Sequence, residues 1–422
     1  MEPGYRVRVR RRHIIYLQGY DPRGLAQYYR MFRTELRKFG RLYAVKSSVT
    51  RPTTTDTTVA SWTIDTAGDD WQTTTTYDFL RLEDLIQTDL AWPLWKTILW
   101  AEVIYWRLVL NGTLWRFARA HWRFAVFISY PHYVLFNEVL LTGALGWGMR
   151  SLLEWLGFPS FVSAIAGFLV FVAAFGWLAR ASERRTYMLY LMADTIFTWQ
   201  FSHRNRPDWD ERIESFARHL VRVAQDSDAD EIVVVGHSSG SFLGTEMLAR
   251  ALELDPDLGR RRSRMMLLTI GGNLPIVGFH RASRSFREHL LRLAVEPTVD
   301  WIDCQSRKDV MNFFPFDPIA AHGLDPGPAA RNPRIWFLRL RDLVDPARYN
   351  VFRWKFFRVH FQFVMANERP NAYDFFAIVC GPVPLKERFD HPDAALATLI
   401  GSPGDSTAAW AELDPPAPAP AG

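Results

Sequence analysis

The alternation of apolar and polar positions divides the chain into three stretches with different periods. In the first, His13 to Leu17 (HIIYL) is a short apolar run that ends at Gln18, Gly19, Tyr20, Asp21 and Pro22, which predicts a strand and a turn. Leu25, Tyr28, Tyr29, Phe32 and Leu36 then recur on one helical face. From Arg41 to Asp84 the pattern becomes a threonine-rich alternation. Thr57 to Asp65 and Trp71 to Phe79, separated by Ala67, Gly68, Asp69 and Asp70, predict a hairpin on the edge of the main sheet. In the last stretch, Ile213, Phe216, Ala217, Leu220, Val221 and Ala224 form a helical stripe ahead of the β-branched run Ile232 to Val235. That run has no polar interruption, as a strand buried on both faces of a parallel sheet requires. Phe242, Leu243, Met247, Leu248, Ala251 and Leu252 return to helical spacing, and Met265 to Ile270, Val299 to Cys304 and Arg334 to Leu340 are further short strands. Strands alternating with helices predict an α/β fold with a mostly parallel sheet.

The middle stretch follows neither pattern. Ten of the chain's 17 tryptophans fall between Trp92 and Trp199, among long apolar runs. Phe161 to Leu178 is 18 residues without a charge, close to the length that crosses a hydrocarbon core of about 30 Å. Tyr133 to Met149 has similar length but contains Glu138, which is costly in lipid unless the helix lies in the interface or turns the carboxyl inward. Arg116, Arg119 and Arg123 precede this pair and Arg180, Arg184 and Arg185 follow it, so both ends of the hairpin are expected to face the cytoplasm. Upstream, Trp95, Trp100, Trp106, Trp115 and Trp122 alternate with Lys96, Arg107, Arg116 and Arg119, the chemistry of a helix at headgroup level. A buried helical lid or a homo-oligomer interface is the alternative. The expected organisation is therefore an α/β unit formed from 1–90 and 201–400, a membrane-embedded helical insert at 91–200, and a disordered proline-alanine tail at 401–422.

Composition narrows the partners. The net charge is only +5, and the basic residues are scattered or flank apolar segments, which points to a membrane surface and away from nucleic acid. Two cysteines, Cys304 and Cys380, are too few for a disulfide framework and suit a reducing compartment. The basic N-terminus leads into a strand with no apolar signal region, so the catalytic part is expected in the cytoplasm.

Between the run Ile232 to Val235 and the helix after it lies one Gly-x-Ser-x-Gly: Gly236, His237, Ser238, Ser239, Gly240. A serine at a sharp strand-to-helix turn is exposed and strained, needs small neighbours, and reads as a nucleophile. With the order of elements around it, this motif resembles the α/β-hydrolase family of serine esterases and lipases over roughly residues 13–45 and 208–380. The resemblance implies an oxyanion hole built from backbone N–H groups, here those of Ser239 and of Tyr20 in the loop after HIIYL, where Gln18 stands in place of a common histidine. It also implies an acid and then a base after the serine. Asp309, in the loop after Val299 to Cys304, is favoured as the acid over Asp303, which lies within the strand. His360 follows the last predicted strand and is favoured as the base over His322 and His391, while His237 is expected to pack. Zinc, phosphate-loop and dinucleotide signatures are absent, so no cofactor is expected. The expectation is a membrane-anchored hydrolase of acyl esters, with lipids as the substrates by virtue of the insert, and with an acyltransferase on the same residues or a non-catalytic scaffold as alternatives.

Overall fold

The computed structural model describes residues 8–400, so the tail expected at 401–422 lies outside the described residues. Nine strands form one sheet in the order β2-β4-β5-β1-β6-β7-β8-β9, with β3 paired to β4. The strands are β1 (Arg11–Leu17), β2 (Lys46–Val49), β3 (Thr53–Asp56), β4 (Val59–Ala67), β5 (Gln72–Leu80), β6 (Glu231–His237), β7 (Arg264–Ile270), β8 (Val299–Gln305) and β9 (Arg334–Phe337).

The sheet is mixed, which corrects the expectation of a mostly parallel one. β5, β1, β6, β7, β8 and β9 run parallel, whereas β2, β3 and β4 run antiparallel to their partners. Connections of a few residues can join only antiparallel strands, and the threonine-rich region has only such connections. The expected hairpin is β4–β5, but it lies inside the edge: β5 pairs with β1, and β2 and β3 extend the sheet beyond β4.

The alternation inside each central strand divides the core in two. Ile15, Leu17, Ile232 and Val234 point to one face, which is covered by α7 (Pro207–Asp226), α8 (Gly240–Leu254) and α10 (Arg284–Val295). Ile14, Tyr16, Val233 and Val235 point to the other, covered by α1 (Leu25–Tyr43) and α13 (Phe375–Cys380). At the sheet's lower end, Arg12 is fully buried, donates to Glu231 at 2.8 Å and also reaches the carbonyls of Gly381 and Val383. This guanidinium ties two strands to the C-terminal part of the chain.

Between β5 and β6 the chain forms α2 (Glu83–Leu90), α3 (Leu94–Leu110), α4 (Thr113–Trp155), α5 (Ser160–Thr186) and α6 (Met188–Ser202). α6 packs into the body through Met192, Ile196 and Phe197. α4 and α5 are both long and apolar enough to cross a membrane, and they contain the two expected segments. α4 bends at His121, whose backbone is non-helical. Before the bend, Phe117 is buried and Arg116 donates to the Phe279 carbonyl at 2.7 Å, so this end of α4 belongs to the body. Further on, α4 crosses α5 at Gly146 and Gly167. A Cβ on either glycine would lie 2.6 Å from the other's carbonyl oxygen, so the crossing requires two small residues. Glu138 is turned inward and accepts the Ser182 hydroxyl at 2.6 Å.

Candidate active site

β1 and β6 are neighbours with Leu17 opposite Gly236, so the loops that leave their C-terminal ends meet. From here the chain builds outward in both directions, through β5 on one side and β7 on the other, which leaves a crevice above the strand ends. Ser238 stands in this crevice. Its φ of 58° is left-handed, a region a serine rarely occupies. The tight turn explains the flanking glycines: a Cβ on Gly236 would lie 2.3 Å from the Gly240 carbonyl oxygen, and one on Gly240 would lie 2.2 Å from that of Leu17. The Ser238 N–H donates to the Ile270 carbonyl at 3.1 Å, and the Ser241 N–H and hydroxyl both donate to the Ser238 carbonyl. The backbone is thereby held from both sides.

Asp309 and His360, 51 residues apart, are brought together. His360 lies on α12 (Phe356–Phe361), which follows α11 (Pro346–Phe352), and its Nδ1 is 2.6 Å from Asp309 Oδ2. A carboxylate only accepts, so Nδ1 carries the proton and Nε2 is left as an acceptor. That Nε2 is buried and has no hydrogen-bond partner among the described residues. His360 and Ser238 line the same cavity. Asp309 is fully buried and fixed: its other oxygen accepts the Met311 N–H at 2.9 Å, and Asn312 braces the loop by donating to the Asp309 and Ser306 carbonyls.

The competing residues are occupied elsewhere. Asp303 accepts from the Thr269 hydroxyl and from Gln305, and burial raises its pKa to about 6. His322 is bonded to the Pro318 carbonyl between Phe279 and Phe316, where burial lowers its pKa to about 4. His391 precedes the C-terminal helix Pro392–Ile400 and does not line the cavity. His237 stacks on His360 with ring centroids 4.6 Å apart, and burial followed by the neighbouring imidazole holds its pKa well below the usual histidine range. It packs as a neutral ring.

Of the two expected oxyanion donors, Tyr20 lines the cavity and Ser239 does not. Ser239 instead stands immediately before α8 with no cap bond from its hydroxyl, which accepts from Asn273 Nδ2 at 3.4 Å, while the first N–H groups of α8 have no partner inside the helix. Gly19 presses directly on the serine; a Cβ there would lie 2.8 Å from Ser238 Cβ. The Tyr20 ring is stacked on Phe197 and its hydroxyl donates to Asp89 at 3.1 Å.

The cavity itself is small, about 30 Å³. Aromatic residues close it. Tyr190, Phe357 and Phe361 line the cavity, and rings in contact continue from Phe357 to Tyr187 at 4.6 Å and from Phe356 to Phe127 at 5.7 Å. The chain of rings therefore runs from Ser238 to the beginning of the hairpin. The sequence reading misses this cap, although the phenylalanine pairs flanking His360 are its visible trace. Among the described residues no group of three or more His, Cys, Asp or Glu is placed to hold a metal ion. Comparison with known protein families, curated proteins and solved structures finds no match for this chain.

Proposed function

We propose that this chain is a membrane-anchored serine hydrolase of α/β-hydrolase type that cleaves carboxylic acyl esters, with lipid esters as its substrates. The observation that carries the reading is the Asp309–His360 hydrogen bond, with the free Nε2 of His360 in the same cavity as a serine in a left-handed conformation. Ser238 Oγ attacks the acyl carbon while His360 Nε2 takes its proton. The oxyanion is stabilised by N–H groups of Ser239 and Tyr20. Collapse of the tetrahedral intermediate breaks the ester bond, and the departing alkoxide takes the proton from Nε2. Water then repeats the sequence on the acyl-enzyme, releasing the acid and restoring Ser238. Asp309 keeps Nδ1 protonated and offsets the positive charge of the imidazolium.

Lipid as substrate is supported by the aromatic cap, which offers an acyl chain apolar contacts from the serine to the hairpin. Cytoplasmic placement of the body is supported by Arg180, Arg184 and Arg185 at the hairpin's exit. The test is covalent labelling with a fluorophosphonate of protein extracted from membranes in mild detergent. The parent is expected to label and Ser238→Ala to remain unlabelled; equal labelling of the two would remove Ser238 from the mechanism.

A further inference from the structure

A second, larger concavity lies in the insert and shares no lining residue with the serine cavity. It is a groove of about 1120 Å³ between α3 and α5, with walls that include Leu94, Ile98, Val172 and Ala173. Two charged residues also line it, Glu102 from α3 and Arg180 from α5. Arg180 is exposed, donates only to the carbonyl of Gly176 in its own helix, and has no carboxylate partner among the described residues. Glu102 is supported from behind: its Oε1 is 2.6 Å from His132 Nδ1, and that imidazole stacks on Tyr105 with centroids 3.9 Å apart. His132 is itself largely buried, so the carboxylate is held in position while about a third of its side chain remains accessible.

The charges lie at a definite height. Arg180 follows the end of the charge-free segment 161–178 by two residues, and Trp95 and Trp177, exposed by 68% and 70%, line the same groove. Exposed tryptophans beside the first cation after a span mark the headgroup level of a bilayer. A ligand there meets hydrocarbon-like walls, one unpaired cation and one positioned carboxylate.

We propose that this groove is a binding site for one phospholipid with a primary-ammonium headgroup. Its phosphate pairs with Arg180, its ammonium donates to Glu102, and its acyl chains lie along Leu94, Ile98, Val172 and Ala173. Charge complementarity selects this occupant. A choline headgroup supplies the phosphate but no N–H donor for Glu102, and a glycerol headgroup leaves the phosphate charge without its balancing ammonium. The site rests on the membrane reading of α4 and α5 but not on the ester chemistry, since it shares no lining residue with the serine cavity.

The experiment uses full-length Ser238→Ala, so that no lipid is consumed, delipidated in detergent and titrated with phosphatidylethanolamine, phosphatidylcholine or phosphatidylglycerol under native mass spectrometry. One saturable phosphatidylethanolamine is expected, bound about tenfold or more tightly than phosphatidylcholine, the scale of one charge-assisted hydrogen bond. Glu102→Gln is expected to erase that preference, and Arg180→Gln to weaken all three lipids together. Equal affinity for the ethanolamine and choline lipids, a lead for phosphatidylglycerol, or unsaturable binding of many lipids would each overturn the proposal. Should either variant fail to fold, quenching of tryptophan fluorescence in the unaltered groove by lipids brominated in the acyl chain gives the same comparison: steeper quenching by the ethanolamine lipid supports the site, and equal quenching removes it. Failure of the parent to label with a fluorophosphonate would bear on Ser238 alone and leave the lipid titration unaffected.

Discussion

α5 and α8 are both rich in apolar residues and use them in opposite directions. Only 11% of the most apolar window of α5 is buried, with Phe161, Ile165, Phe168, Leu169 and Val172 facing outward, whereas nearly every residue of α8 is enclosed. Their surroundings treat charge just as differently. Glu246 on α8 is buried and meets Arg204, Arg250 and His289, each at 2.8 Å. Glu138, buried between α4 and α5, has one hydroxyl partner, Ser182, and its second oxygen has none among the described residues. The body surrounds its buried carboxylate with cations, and the hairpin gives its own only a hydroxyl. Burial alone therefore does not distinguish the regions; what the exposed surface is made of does.

The same change made in each region sharpens this contrast most. Leu248→Arg places an unpaired charge at a fully buried position of α8, at a cost comparable to the ~5–15 kcal/mol that holds a domain together, and folded protein is expected to be lost from size-exclusion chromatography. Next in size, Asp309→Asn removes the acceptor of the Nδ1 proton and is expected to lower turnover of a soluble ester by about 10⁴-fold with the fold unchanged by circular dichroism. Glu246→Gln is expected to destabilise the body by ~3–5 kcal/mol at neutral pH, read as a fall in thermal midpoint in detergent. Hydrogen bonding to His289, with the charges of His289, Arg204 and Arg250, outweighs burial and lowers the Glu246 pKa to about 2. Its contribution is therefore complete above the ordinary glutamate range near pH 4.5 and disappears as the pH falls toward 2, so the parent loses this difference in acid and converges on the variant. Smallest is Phe168→Arg on α5, at ~2.5–3.5 kcal/mol of insertion free energy. It is expected to shift protein from the alkali-resistant membrane fraction while leaving fluorophosphonate labelling in detergent intact. Loss of labelling would mean that the hairpin and the serine site are one unit.

What was legible in the sequence follows the range of the interactions involved. Ser238 stands out because its requirements are local: a β-branched strand, two flanking glycines and a helix lie within about a dozen residues. The positions of Asp309 after β8 and of His360 after β9 are legible through chain order, and the two side chains are found 2.6 Å apart. The apolar segment 161–178 needs only a count of uncharged residues. The missing parts depend on distant partners. The place of the β4–β5 hairpin inside the sheet is set by β5 pairing with β1, the inward turn of Glu138 by Ser182, 44 positions later, and the aromatic cap by contacts of α12 with Phe127 on α4 and with Tyr187 between α5 and α6. The bend at His121 has no proline or glycine at that residue to announce it.

Six residues of α12 carry both His360 and the ring of Phe357. A displacement of this helix large enough to widen a 30 Å³ cavity would also pull the imidazole off Asp309, 2.6 Å away. On the proposed hydrolase reading, space for an acyl group comes from side-chain rotation, at Phe357 and, once its hydroxyl leaves the Tyr20 carbonyl, at Tyr190, while the backbone of α12 stays in place. On that reading, access and proton transfer share this one short helix, so the size of acyl group accepted is set by how far the lining rings can swing.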